Sequence, residues 1–377
     1  MKNLLIIVIL LGIIKNTNAQ VIGSGPNSQS SYFKCDSNGI PKACGRNVNG
    51  ELGDNTTIDR NTMVQSGNLT NIIAISSGSG HTLFLKNDGT VWASGRNTEG
   101  QLGDESTDDK LSPVQVSGLS DIISIVAGGT HSLFLKNDSS VWACGDGGNG
   151  KLGDGTYTNK STPFKISELS GIIGIAAGSN HSIFLKSDGT IWGCGNNNFG
   201  QLGAGANLNN PTPIQVYGIS EVISIAAGSF NSLFIKEDST VWSIGNNSFG
   251  QLGDGTTVSR KTPVQALGIS KIKEIRGGGN FTLFLKNDNT VWACGNNSYG
   301  QFGDGTNISK QIPFQIEGLN NLIAVAAGFS HSLFMKNDGS IWSTGENKYY
   351  GQLGDGTDSN RLSPVQVISG AKNTNPD

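Results

Sequence analysis

Charge is scarce in this 377-residue chain: charged residues make up 15% and the net charge is only -3. A near-neutral chain without a basic tail offers little to phosphate backbones, so no nucleic-acid partner is expected. The acidic excess is also too small to call for a cationic partner. No second apolar run follows the N-terminal one and no hydrophobic tail closes the sequence, so no membrane-spanning helix is expected in the remainder. Catalytic signatures are missing as well, with no GxSxG elbow and no HExxH pair. Proline is limited to 10 residues and histidine to 4.

Glycine, by contrast, is abundant, with 54 residues or about twice ordinary usage. Without a collagen period, such glycine fits many tight turns between short strands. The chain also exceeds the usual size of one hydrophobic core, so it should form several domains or an array of units packed on their neighbours. The N-terminus reads as an export signal over residues 1–19: Lys2 gives positive charge, Leu4 to Ile14 an apolar run, and Thr17-Asn18-Ala19 a small-residue cleavage site before Gln20. That run is too short to span a bilayer. A secreted protein, free of the membrane after cleavage, is expected.

A period of 50 residues organises the rest. IIAI at 72 returns as IISI at 122, IIGI at 172, VISI at 222, IKEI at 272 and LIAV at 322. HTLFLKNDGTVWASG at 81 returns near-identically at 131, 181, 231, 281 and 331. A GQLGD-type block begins at Gly50, Gly100, Gly150, Gly200, Gly250, Gly300 and Gly351. Short β-branched and aromatic runs separated by turn residues predict an antiparallel meander in each unit, with Asp88-Gly89 as a two-residue hairpin turn. Such units cannot bury both faces alone, so they should stack radially.

The pattern AxGxxHSLFLKxDGxxWxxGxNxxGQLGDGT, nearly intact in six units over residues 72 to 367, resembles the regulator of chromosome condensation repeat family. The resemblance implies an all-β, seven-bladed β-propeller of four-stranded repeats. The units are 72–121, 122–171, 172–221, 222–271, 272–321 and 322–370, preceded by a weak first repeat at 20–71 and followed by a tail at 371–377. In the weak repeat, Pro41 and Lys42 replace the Val-Trp pair, and 21–33 shows no clear first strand. The ring should close where this unit meets Pro364 to Val367.

Residues able to carry chemistry have plainer explanations. His81, His131, His181 and His331 share one repeat position, which Asn231 and Phe281 also occupy; a metal ring is therefore not expected, and a backbone hydrogen bond fixing a strand turn is. Cys44, Cys144, Cys194 and Cys294 share another position and read as small buried side chains. Cys35 and Cys44 are a candidate disulfide if Ser37-Asn38-Gly39 turns a hairpin. Gly145 to Leu152 approximates a phosphate-binding loop but lacks the hydroxyl residue and the following helix. The repeated aspartates, such as Asp254 and Asp304, read as turn caps in preference to calcium ligands. The tryptophans at 92, 142, 192, 242, 292 and 342 read as filling between blades. Asparagine glycosylation acceptors are no more frequent than chance allows in a chain so rich in Asn, Ser and Thr. No cofactor and no metal are expected.

In a meander the loops after the first and third strands emerge on one face. The residue before the GQLG block is Asn49, Glu99 or Asn149 in early units but Phe199, Phe249, Tyr299 or Tyr350 in later ones, where Tyr349 is an added residue. The neighbouring loop supplies Phe230, Phe281 and Phe329. Together these form a candidate aromatic arc for a partner, since Tyr and Phe give large contact area at low entropic cost; packing inside their own loops is the competing reading. A monomeric, non-enzymatic, secreted protein that binds a protein partner, with inhibition as one outcome, is the leading expectation. Exported bacterial inhibitors that cap β-lactamases resemble it in architecture. The family's founding activity, nucleotide exchange on a nuclear small GTPase, is an alternative, as is sugar binding. Exchange fits poorly, because the strict 50-residue spacing leaves no room for an added wedge.

Overall fold

A computed structural model describes residues 21–34, 38–203 and 208–369. The proposed signal segment and Cys35 lie outside these residues. Seven four-stranded antiparallel sheets form, each from consecutive strands. These seven blades span 21–65, 72–115, 122–165, 172–215, 222–265, 272–315 and 322–368. Blade 2 is typical, with strands Ile72–Ser77, His81–Lys86, Val91–Gly95 and Lys110–Gln115. Among the described residues the single helical turn is the 3-10 turn Gly148–Gly150.

The hairpin between second and third strands differs from the two-residue turn expected. Gly89 N–H donates to Lys86 O at 3.0 Å and Lys86 N–H to Thr90 O at 3.0 Å, giving a three-residue loop with Gly89 at φ 78°. A type I turn followed by a left-handed residue has this form, and the residue at its end must take positive φ. Ser139, Ser239 and Asn289 take it in three other blades.

Second strands are buried on both faces, so LFLK-type runs are continuous and not alternating. Each core lies between blades. Leu83, Leu85, Val91 and Leu102 of blade 2 pack on Ile122, Ile125, Phe134 and Cys144 of blade 3, and the pattern repeats around the ring. The tryptophans sit at the edge of these cores and are half-buried. Trp192 donates its indole N–H to Thr190 Oγ1 at 3.3 Å, and Lys186 Nζ lies 4.2 Å from the ring centroid.

The histidines join blades, where the sequence suggested a bond within a turn. His131 Nε2 lies 2.9 Å from Ser182 Oγ of the next blade, and that hydroxyl donates to Lys151 O at 2.7 Å. The serine has one proton and gives it to the carbonyl, so the imidazole carries its hydrogen on Nε2. Nδ1 lies against a turn glycine, where an added Cβ on Gly128 would stand 2.4 Å away. The same arrangement links His81 to Ser132, His181 to Ser232 and His331 to Ser31.

Ring closure is therefore the same kind of joint as the others. The last strand, Arg361–Ile368, pairs with Ile341–Gly345 of its own blade, and no strand is exchanged. Phe33, Cys44 and Met63 of blade 1 pack on Leu333, Met335, Val367 and Ile368 of blade 7, so the weak unit does meet the predicted segment. Blade 1 has a first strand after all, the three-residue Val21–Gly23, paired with Tyr32–Lys34. Cys44 faces Ser31 in that sheet, and its thiol lies 3.5 Å from Gln352 O.

Between Gly23 and Ser30 the chain makes an excursion that no other blade has. Asn27 Oδ1 accepts a hydrogen bond from Ser179 Oγ of blade 4 and lies 3.0 Å from Ser229 Oγ of blade 5. Ser229 Oγ also lies 2.8 Å from Pro26 O. This segment crosses the mouth of the central channel, a space of about 300 Å³ lined by first-strand residues such as Ile75, Ile125, Ala177, Ala227 and Arg276. A belt of turn-to-turn backbone bonds surrounds it, including Gly129 N–H to Gly178 O, Ser179 N–H to Ser229 O and Phe329 N–H to Ser28 O.

Candidate partner-binding face

In six blades the long loop after the third strand is held from within by a buried asparagine; in blade 3 Gly147 stands at that position. Asn297 Nδ2 donates to Asp304 Oδ1 and Thr306 O, both at 3.1 Å, while its Oδ1 accepts from Phe302 N–H at 3.0 Å. Asn47, Asn97, Asn247 and Asn347 do the same in other blades. The repeated aspartates serve this core. Asp254 accepts from Asn247, Thr256 and Arg260. Burial alone would raise its carboxyl, but the hydrogen bonds from Thr256 and Arg260 outweigh that and hold it below the ordinary range. Its oxygens are already engaged as turn caps.

The glutamine of GQLG sets where the preceding aromatic stands. Gln201, Gln251 and Gln301 each accept the aromatic residue's N–H at 3.0 Å, and each donates through Nε2 to an asparagine five positions earlier. In blade 1 the corresponding pair is ionic, Glu51 with Arg46 at 2.8 Å. In blade 3 it is ionic with the signs reversed, since buried Lys151 Nζ lies 2.5 Å from Asp146 and also bonds Gly148 O and Asn180. That lysine makes the apparent phosphate loop a structural clamp. In blade 7 the pair is Glu346 and Gln352, and it is not made: both amide atoms of Gln352 lack a hydrogen-bond partner. Burial raises the Glu346 carboxyl, opposed by a hydrogen bond from Ser330.

In blades 4 to 6 these backbone clamps turn Phe199, Phe249 and Tyr299 outward, whereas Phe329 and Tyr349 stand outward without one. Phe199 and Tyr299 are 38% exposed, Phe249 and Phe329 are 39% and Tyr349 is 64%. Phe230 and Tyr350 are half-buried. Phe230 meets Phe199 edge-on at 5.7 Å, and Tyr350 meets Tyr349 at 6.3 Å. All seven lie on the loop face and belong to blades 4 to 7.

Phe281 does not belong to this arc, contrary to expectation. It is fully buried at the histidine position, stacks edge-on with Phe302 at 6.4 Å and fills the space over Gly278. As the first residue of a second strand, its side chain points between blades and not along the turn.

The sequence reading missed an outer row on the same face. Leu208, Val258 and Ile308, at one repeat position in blades 4, 5 and 6, are all more than half exposed. Their 50-residue spacing was visible, but a single aliphatic residue in a loop carries no signal without knowing which way it points. The blade 4 loop around Phe199 contains no charged residue from 196 to 210, whereas the blade 2 loop carries Asp104, Glu105, Asp108 and Asp109. Blades 2 and 4 thus differ in charge, while exposed apolar residues also stand in the loops of blade 1, Val48 and Ile58, and of blade 3, Tyr157.

The sequence matches the RCC1-like domain over residues 42–375. Among solved structures, human WBSCR16 is similar at a TM-score of 0.77 and 23% identity, covering 86% of this chain and 92% of that one. Yeast RCC1 (Prp20) bound to Kap60 is similar at 0.77 and 22%, covering 87% and 83%. Prp20p of Saccharomyces cerevisiae, described with its binding properties to Gsp1p and histones, gives 0.77 and 24%, covering 87% and 86%. A comparison with curated proteins finds no match. The repeat motifs, seven four-stranded blades and a domain match over most of the length place this chain in the RCC1-like domain family.

Proposed function

We propose that this propeller is a secreted, non-enzymatic scaffold that grips a protein partner with the loop face of blades 4 to 7. The observation that carries the reading is the set of five exposed aromatics, Phe199, Phe249, Tyr299, Phe329 and Tyr349, in the loops of blades 4 to 7, against one, Tyr157, in the same loops of blades 1 to 3. At these exposures they present roughly 400 Å² of aromatic surface in total, within the range of the largest, often functional, apolar patch of a monomer. Leu208, Val258 and Ile308 extend it toward the roughly 800 Å² that one partner contributes to a stable complex. The yeast relative is described with protein partners, Kap60, Gsp1p and histones. Export rests on the N-terminal segment at 1–19, and inhibition follows where the covered surface holds an enzyme's active site.

The test is affinity capture from extracellular fluid with wild type and with the Phe249→Ala, Tyr299→Ala, Tyr349→Ala triple variant. Proteins captured by wild type and lost with the triple variant support the reading. Identical captured sets from both would remove it.

A further inference from the structure

At one repeat position pair the blades differ in their polar contact, and in blade 2 Arg96 turns to Thr98 and Glu99 in place of Gln101. Blade 1 uses Arg46 with Glu51, blade 3 uses Asp146 with Lys151, and blades 4 to 6 use an asparagine with a glutamine. Blade 7 places Glu346 against Gln352 and leaves the pair unmade. Glu346 is 6% exposed, and no ion pair reaches it among the described residues. Gln352 is fully buried, and neither amide atom has a partner.

The added residue in the blade 7 loop explains the mismatch. In blade 6 the turn closes from Gly300 N–H to Asn297 O, three residues back, whereas in blade 7 it closes from Gly351 N–H to Asn347 O, four back. The widened turn takes the aromatic residue's N–H away from the glutamine, and Glu346 has no amide to offer it a second contact. Between the two in sequence, in the same loop, stand Tyr349 and Tyr350, the two adjacent aromatics of the arc, and the chain's own Lys348 Nζ lies 5.8 Å from the Tyr349 ring. Aromatic faces and a carboxylate together suit an organic cation.

We propose that the blade 7 loop is a receptor for a lysine or arginine side chain of the protein partner, with Glu346 and Gln352 taking its N–H donors and the Tyr349–Tyr350 pair flanking its stem. Glu346 would then gain the cation that Arg46 gives Glu51 in blade 1. A carboxylate shielded from water forms a stronger bond to such a group than an exposed one, and a buried amide without partners gains from any donor brought to it. This rests on the reading of the face as a protein-binding surface and specifies one contact within it.

The experiment is a titration of ¹⁵N-labelled protein with N-acetyl-lysine amide and N-acetyl-arginine amide, using neutral N-acetyl-norleucine amide as control. Saturable shifts are expected at residues 346–352 with at least one cationic probe, at least tenfold weaker with norleucine and at least tenfold weaker in Glu346→Gln. That variant carries a neutral amide like the asparagines of blades 4 to 6, so it should keep the fold and raise thermal stability. No saturable shift at the loop, equal shifts with norleucine, or unchanged binding in Glu346→Gln would overturn the inference. If the aromatic triple variant still loses captured partners in that case, the face reading stands and the cation site alone fails.

Discussion

Acid should open this ring, and the four buried histidines set where. Burial first, then Arg96, pushes His81 down to about 4; burial likewise takes His181 to about 4 and His331 to about 3. His131 lies well below its ordinary value because of burial and the nearby Lys151. Each carries its hydrogen on Nε2, so protonation would add a donor at Nδ1, which has no partner and faces a turn glycine. The unfolded chain takes up a proton near pH 6.5 while the folded ring resists it to about pH 4 or below. Stability is therefore present above pH 6.5 and is lost as pH falls toward the folded values. At pH 5 the loss is about 2 kcal/mol for each of His81, His181 and His331, or roughly 6 kcal/mol together, with His131 acting in the same sense, because each pH unit below 6.5 costs about 1.4 kcal/mol. That rivals the whole stability of a typical domain, about 5–15 kcal/mol. Two buried carboxylates, Glu51 and Glu346, act in the opposite sense because burial raises them. Being fewer, they reduce the slope without reversing it. Urea unfolding followed by tryptophan fluorescence at pH 7.5, 6 and 5 measures it. His181→Phe, which copies what Phe281 does in blade 6, should remove about a quarter of the pH dependence. A midpoint that stays flat from pH 7.5 to 5, or an unchanged slope in His181→Phe, would refute the reasoning.

Removing the channel brace by Ser179→Ala with Ser229→Ala leaves Asn27 Oδ1 and Pro26 O without these hydroxyl partners, and should cost about 1–3 kcal/mol, read as a lowered urea midpoint. A midpoint equal to wild type would show that the excursion at 24–29 does not help close the ring. Phe281→Ala should cost about 3–5 kcal/mol in the same assay and leave partner capture intact, because the side chain is core and not surface. Export predicts that protein recovered from the medium begins at Gln20; Edman sequencing that finds intact Met1 on cell-retained protein would contradict it.

Most of the architecture was legible because the period of 50 repeats the same burial pattern. Strand positions such as Leu83, Val91 and Leu102 recur in register, so one unit explains six. The first blade was harder to read. Val21–Gly23 is too short to show a period, and the role of Asn27 depends on serines some 150 and 200 residues away. Histidine was correctly placed as structural, but its partner lies on the next blade, 51 residues on, where sequence shows only another serine. The aromatic arc was proposed from the contrast between early and late units. Phe281 was misassigned because a second-strand residue and a turn residue stand side by side in sequence while pointing apart in space. The unmade Glu346–Gln352 pair had a visible sign, the added tyrosine, but its meaning required seeing the clamps of blades 4 to 6.

The central claim is that the aromatic side of the loop face contacts a protein directly. Photo-crosslinking tests it, with p-benzoyl-phenylalanine placed at Tyr299 in one variant and at Tyr217 in another. Tyr217 is 66% exposed in the loop after a fourth strand, on the other face of the ring. The account predicts a discrete cross-linked protein species from position 299 and none from 217. Cross-links from 217 alone, or the same species from both, would contradict it.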